Sequence, residues 1–171
     1  MKKLLVLALP VALSHLLVMT MGLVDLAFVR HVGTTATGAV GVASALFGWT
    51  LTIGLGLLAG LDFFVSTAYG AGQWRTCHVY FGQGIWLALI TGIPLSLVLY
   101  GSAFFLPALG INPAVIPETA PFLKVLSVGL IPVFVFGACR NYLQATNRPL
   151  APFFILLAAN LLNVFFRSEE R

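Results

Sequence analysis

This sequence predicts an all-α membrane protein, a polytopic helical bundle of about five transmembrane helices. Three observations predict it. Of the 171 residues, 60% are hydrophobic and 8% charged, against roughly 25% charged in a soluble domain. Mean hydropathy is +1.02. The apolar residues also fall in runs long enough to cross a hydrocarbon core, which takes roughly 20 residues of a helix rising about 1.5 Å per residue. Only short polar breaks separate the runs, and short connections favour antiparallel neighbours within one bundle.

The first run, Leu4 to Val29, follows Met1-Lys2-Lys3. That opening imitates a secretory signal, but no A-x-A site follows and the run outlasts the usual signal length, so it reads as an uncleaved span. The second, Gly38 to Tyr69, repeats small residues every fourth position at Ser44, Gly48, Thr52, Gly56 and Gly60. Small-xxx-small ridges let neighbouring backbones approach closely in lipid, so this face is expected to be a packing ridge. Val79 to Leu109 and Thr119 to Thr146 make the third and fourth spans. Leu150 to Phe166 makes a fifth of marginal length, ending before the polar residues 167–171.

Pro10, Pro94 and Pro132 lie inside spans. Each removes one backbone hydrogen bond and bends its helix. With the N-terminus cytoplasmic, the inner side receives Lys2, Lys3, Arg75, Arg148 and, by snorkelling, Arg140. The outer side receives Arg30 and Lys124, with Arg167 and Arg171 of the tail. That bias predicts this orientation; the expected location is a bacterial inner membrane.

Several function classes have no residues to stand on. The +4 net charge is scattered between apolar runs, which gives nucleic acid no patch to bind. Cys77 and Cys139 lack ligand spacing, and neither a nucleophile with its base nor a phosphate loop is present. No enzyme activity and no cofactor are expected.

Chemistry is expected instead from Asp25, because a carboxylate within an apolar span is costly and normally faces a protein interior or a wet cavity. It lies about 31 Å along the helix from Leu4, and Asn163 lies about 20 Å along the fifth span from Leu150, which places both at middle-to-outer depth. A carboxylate beside amide oxygens can bind Na⁺ through hard oxygen donors or hold a proton, and either event changes local charge as a coupling site requires. The plain alternatives are an interfacial Asp25 paired with Arg30, and interhelical hydrogen bonds for Asn160 and Asn163. His15 reads as a packed or cavity-facing histidine, and Asp62 as facing the inner interface or Arg75. A bend at Pro10, fifteen residues before Asp25, would let the first helix change its tilt.

The string LALPVALSHLLVMTMGLVDLAFVRHVG (Leu7 to Gly33) resembles the first helix of the multidrug and toxic compound extrusion (MATE) transporters. GLDFFVSTAYGAG (Gly60 to Gly72), NYLQATNRP (Asn141 to Pro149) and ANLLN (Ala159 to Asn163) are similar to the ends of that family's second and fourth helices and to its fifth. The resemblance implies secondary active efflux: small organic cations or amphipathic drugs leave in exchange for Na⁺ or H⁺, through two bundles of six helices. It implies that Asp25 is the cation or proton coupling site, Pro10 the helix bend, and Asn163 with Asn160 part of the polar pocket. Gln144 matches a family position at a helix end, at a depth that separates it from Asp25. Arg30 and Thr67 depart from the family pattern.

Residues 1–166 would then be a partial N-terminal bundle and 167–171 an aberrant polar tail. With the sixth helix and the C-terminal bundle missing, the expectation is a truncated fragment of a twelve-helix transporter that does not transport alone. The rival expectation is a small self-associating scaffold or pore protein, assembled in the lipid bilayer through the Ser44 to Gly60 ridge.

Overall fold

The computed structural model describes the backbone of residues 2–29 and 33–169, and the side chains of residues 9–23, 33–163 and 165. The described residues form five helices: α1 (Lys2–Val29), α2 (Thr34–Gly70), α3 (Trp74–Phe105), α4 (Ile116–Ala145) and α5 (Leu150–Glu169). The described residues form no strand. Among the described residues, three helices, α2, α3 and α4, are long and apolar enough to cross a membrane. Shorter apolar stretches occupy Leu9–Leu23 of α1 and Leu150–Asn163 of α5. Large apolar side chains such as Trp49, Phe63 and Val125 stand on the outer surface, as expected of an integral membrane protein whose solvent is lipid.

Turn chemistry explains where the helices stop. After α2 the chain turns at Gly72, whose φ of 73° suits a residue without a Cβ, and the Gln73 N–H donates to the Ala68 carbonyl at 3.0 Å. After α4, Asn147 takes the left-handed conformation and the Arg148 N–H donates to the Leu143 carbonyl at 2.8 Å. These are two C-terminal caps of the same kind, and Pro149 prevents the second helix from resuming. Because the α2–α3 turn closes within a few residues, α3 starts at Trp74, ahead of the apolar onset at Val79. It ends at Phe105, ahead of Leu109, with Pro107 just beyond. Residues 167–169 continue α5, so the expected tail begins as helix.

The core belongs to α2, α3 and α4, which pack on one another most extensively. α1 packs chiefly on α5 and only slightly on α2, and α5 barely touches α4. Sequence neighbours are therefore not always the principal packing partners, as the short connections had suggested. At the centre is Phe134 of α4, fully buried. A Cβ built at Gly54 of α2 would overlap its ring, and one at Gly92 of α3 would lie 3.1 Å from it. Phe134 is thus a knob seated in glycine notches on both neighbouring helices.

The expected ridge on α2 is not this contact face. A Cβ at Gly48, Gly56 or Gly60 would meet nothing within 4 Å, and Ser44, Thr52, Gly56 and Gly60 are exposed. The buried face runs through Ala43, Thr50, Gly54, Leu58, Leu61, Val65 and Ala68. The cause is geometric. Steps of four residues advance 400° and drift about 40° each time, whereas the buried positions follow the 3.6-residue turn.

Polar contacts add to the core. The Asn141 Nδ2 donates to the Leu58 carbonyl at 3.0 Å, joining α4 to α2, and the Ser96 hydroxyl donates to the Ser127 carbonyl at 2.6 Å, joining α3 to α4. Interhelical bonds of this kind average about 0.6 kcal/mol in membranes. Asn141→Leu is expected to lower unfolding stability in detergent by about that amount, leaving helicity by circular dichroism unchanged.

Candidate functional site

The candidate residues lie on the α1–α5 pair and on the adjoining end of α4. On α1, Pro10, Val11, Leu17 and Met21 are half-buried and Ser14 is fully buried. These positions recur at helical spacing and mark one packed stripe. Pro10 sits within that stripe, and the Ser14 hydroxyl donates to its carbonyl at 2.7 Å. The backbone at position 25 lies in α1, four residues beyond Met21 and in the register of the same stripe. The Asp25 side chain lies outside the described ones, as do those of Arg30 and Arg167.

On α5 the packed stripe runs through Pro152, Phe153, Leu156, Leu157, Asn160 and Asn163. Both asparagines therefore stand on the face that carries the larger packed residues. They differ in bonding. The Asn160 Nδ2 turns back to the Leu156 carbonyl of its own helix at 3.0 Å, so its described bond is not between helices. The Asn163 Oδ1 is buried with no hydrogen-bond partner. Buried polar atoms are nearly always paired, which makes an orphaned amide oxygen notable. It is also a hard oxygen donor of the kind that coordinates alkali and alkaline-earth cations. No group of three or more His, Cys, Asp or Glu side chains gathers among the described residues.

Gln144 lies in the last turn of α4, and its Nε2 is buried and unpartnered. One turn earlier, Arg140 reaches across to α1, with a terminal guanidinium nitrogen 2.9 Å from the His15 Nε2. Arg140 therefore does not snorkel to the end of its helix as expected. Sequence reasoning had placed the two residues separately and missed their pairing. The only available signal was that each is polar within an apolar run. Asp62 is exposed near the end of α2, apart from the α1–α5 stripe.

A family model, MatE, matches residues 10–167, nearly the whole chain. The chain belongs to the MatE family. Among curated relatives, a "Probable multidrug resistance protein NorM" from Rhodopseudomonas palustris is 35% identical over 159 residues, covering 92% of this chain and 33% of the relative. One from Bradyrhizobium diazoefficiens is 34% identical over 158 residues, covering 92% and 34%. A "Multidrug resistance protein NorM" from Aliivibrio fischeri is 30% identical over 172 residues, covering 98% and 37%. This MatE chain spans about a third of the length of the curated relatives it matches. No solved structure gives a significant match. These relatives are named as multidrug resistance proteins, and the helical membrane bundle fits membership of the MatE family.

Proposed function

We propose that this chain is part of a secondary active efflux antiporter that exports drugs or toxic organic compounds in exchange for Na⁺ or H⁺. The observation that carries the reading is the polar register of the α1–α5 pair. Position 25 falls four residues beyond Met21, at the helical register of the α1 stripe, and Asn163 has an unpartnered, buried amide oxygen on the packed stripe of α5. A carboxylate at that depth gains from a cation bound with oxygen ligands, or from a proton, because either removes an uncompensated charge. Alternating loading from the two sides of the membrane is then linked to the tilt of α1, with Pro10 as its weak point.

The substrates proposed are small organic cations or amphipathic molecules; the relatives' names say that those proteins confer multidrug resistance. The proposed setting is a bacterial inner membrane with the N-terminus cytoplasmic. Lys2, Lys3, Arg75 and Arg148 then remain on the inner side, while Arg140 no longer counts because it pairs within the bundle. Export itself is assigned to a transporter of the relatives' full length, in which these five helices form one part.

The test is a chimera in which residues 10–167 replace the matching segment of the Rhodopseudomonas palustris relative. In proteoliposomes the chimera is expected to expel an amphipathic cationic dye when an inward Na⁺ or H⁺ gradient is imposed. Imposing each gradient separately identifies the ion. A chimera that inserts and folds yet moves no dye under either gradient overturns the proposal.

A further inference from the structure

Between described residues, one side-chain hydrogen bond joins the α1–α5 pair to the three-helix core: the 2.9 Å contact of Arg140 with His15. The other interhelical side-chain bonds, from Cys77, Ser96 and Asn141, lie within α2, α3 and α4. The direction of the bond follows from the chemistry of the groups. A guanidinium has only N–H donors, so the Nε2 of His15 must accept, and it can accept only while unprotonated, with the ring proton on Nδ1. A proton added to Nε2 replaces the acceptor lone pair with a donor and sets an imidazolium against a guanidinium. The bond is then lost and the two cations repel.

We propose that His15 is a second protonatable site on α1, and that its contact with Arg140 is a proton-sensitive latch holding α1 to α4. It goes beyond the coupling role assigned to Asp25 and does not depend on it. Asp25 lies ten residues further along the same helix, about 15 Å away, too far to serve as a counter-ion at this point. The described surroundings offer no substitute. α5 carries no titratable residue from Leu150 to Phe166. The titratable groups of α2 are Asp62, which is exposed near the end of the helix, and Tyr69, whose ring meets that of Trp74 edge to face. On α4, Lys124 sits over Tyr100 and Phe104 of α3, Tyr142 stacks on Phe81, and Glu118 lies in the first turn. Cys139, next to Arg140, forms no disulfide. Arg140 is therefore the charged group that faces His15, and the neutral imidazole is the state that keeps α1 docked.

The experiment uses the full chain in lipid nanodiscs, with Cys77 and Cys139 replaced by Ala and His31 and His78 by Gln. Spin labels go on the exposed positions Leu16 of α1 and Trp86 of α3, each changed to Cys. As the pH is lowered from about 8 to about 5, across the ordinary imidazole range, the α1–α3 distance distribution is expected to shift to longer distances. ¹⁵N-labelled His15 is expected to gain its second proton over the same interval. His15→Gln and His15→Leu are both expected to give distributions that do not change with pH, and Arg140→Gln a long, broad distribution throughout. Either histidine variant suffices if the other fails to insert. A distance change that persists in the histidine variants, an unchanged distance in the parent, or a His15 that takes up no proton overturns the latch.

Discussion

Asp25→Asn, introduced into the chimeric transporter described above, is expected to reduce gradient-driven export by about 100-fold or more while leaving insertion and helicity unchanged. The size follows from coupling energetics, since a coupling of about 3 kcal/mol corresponds to roughly 150-fold. Asparagine has nearly the shape of aspartate and still offers an oxygen, so packing along the α1 stripe through Ser14, Leu17 and Met21 should survive. It cannot carry a negative charge or exchange a proton at any accessible pH, so loading an ion no longer changes the local charge. Dye efflux from proteoliposomes measures the first effect and circular dichroism the second. Full export by the variant would remove the carboxylate from the mechanism. Loss of both export and helicity would instead show that position 25 matters for packing.

The five helices were legible in the sequence because span length is a one-dimensional property: a run of apolar residues either reaches across a bilayer or does not. Helix ends were less legible, since hydropathy marks where lipid begins and turn chemistry marks where a helix begins. Trp74 to His78 are polar enough to read as a break, yet they are helical once Gly72 has closed the turn. Azimuth was the least legible property. The every-fourth-residue series from Ser44 to Gly60 is conspicuous in the sequence, while the contact that organises the bundle, Gly54 against Phe134, is visible only when both helices are present. The same limit hid the Arg140–His15 pair, whose members are 125 positions apart. For the candidate site, sequence put Asn163 within reach of Asp25 and Pro10 at a bend fifteen residues before it, and the resemblance added Asn160 to the pocket; in the structure Pro10, Asn160 and Asn163 stand on packed stripes of two helices that touch. No sequence pattern marked the unpartnered Asn163 oxygen, because pairing depends on what lies opposite.

Gly54→Ala and Gly56→Ala are expected to change stability in opposite directions, although both place the same methyl group two residues apart on α2. At Gly54 the new Cβ would overlap the ring of Phe134. That ring cannot simply turn aside, because Phe134 is fully buried and Gly92 of α3 closes on it from the other side. The helix or the ring must shift, and overpacking of this kind costs about 1–3 kcal/mol. At Gly56 the Cβ would meet nothing within 4 Å, so the methyl group brings no clash, and the higher helix propensity of alanine is worth up to about 1 kcal/mol. Unfolding in mixed micelles by added denaturing detergent measures both. Phe134→Leu combined with Gly54→Ala separates the causes: if the ring is the obstacle, the double variant loses less than the sum of its two single changes. Equal destabilisation by both alanines would mean that the Ser44 to Gly60 face is packed after all, whereas strictly additive losses in the double variant would mean that the Phe134 ring is not the obstacle at Gly54.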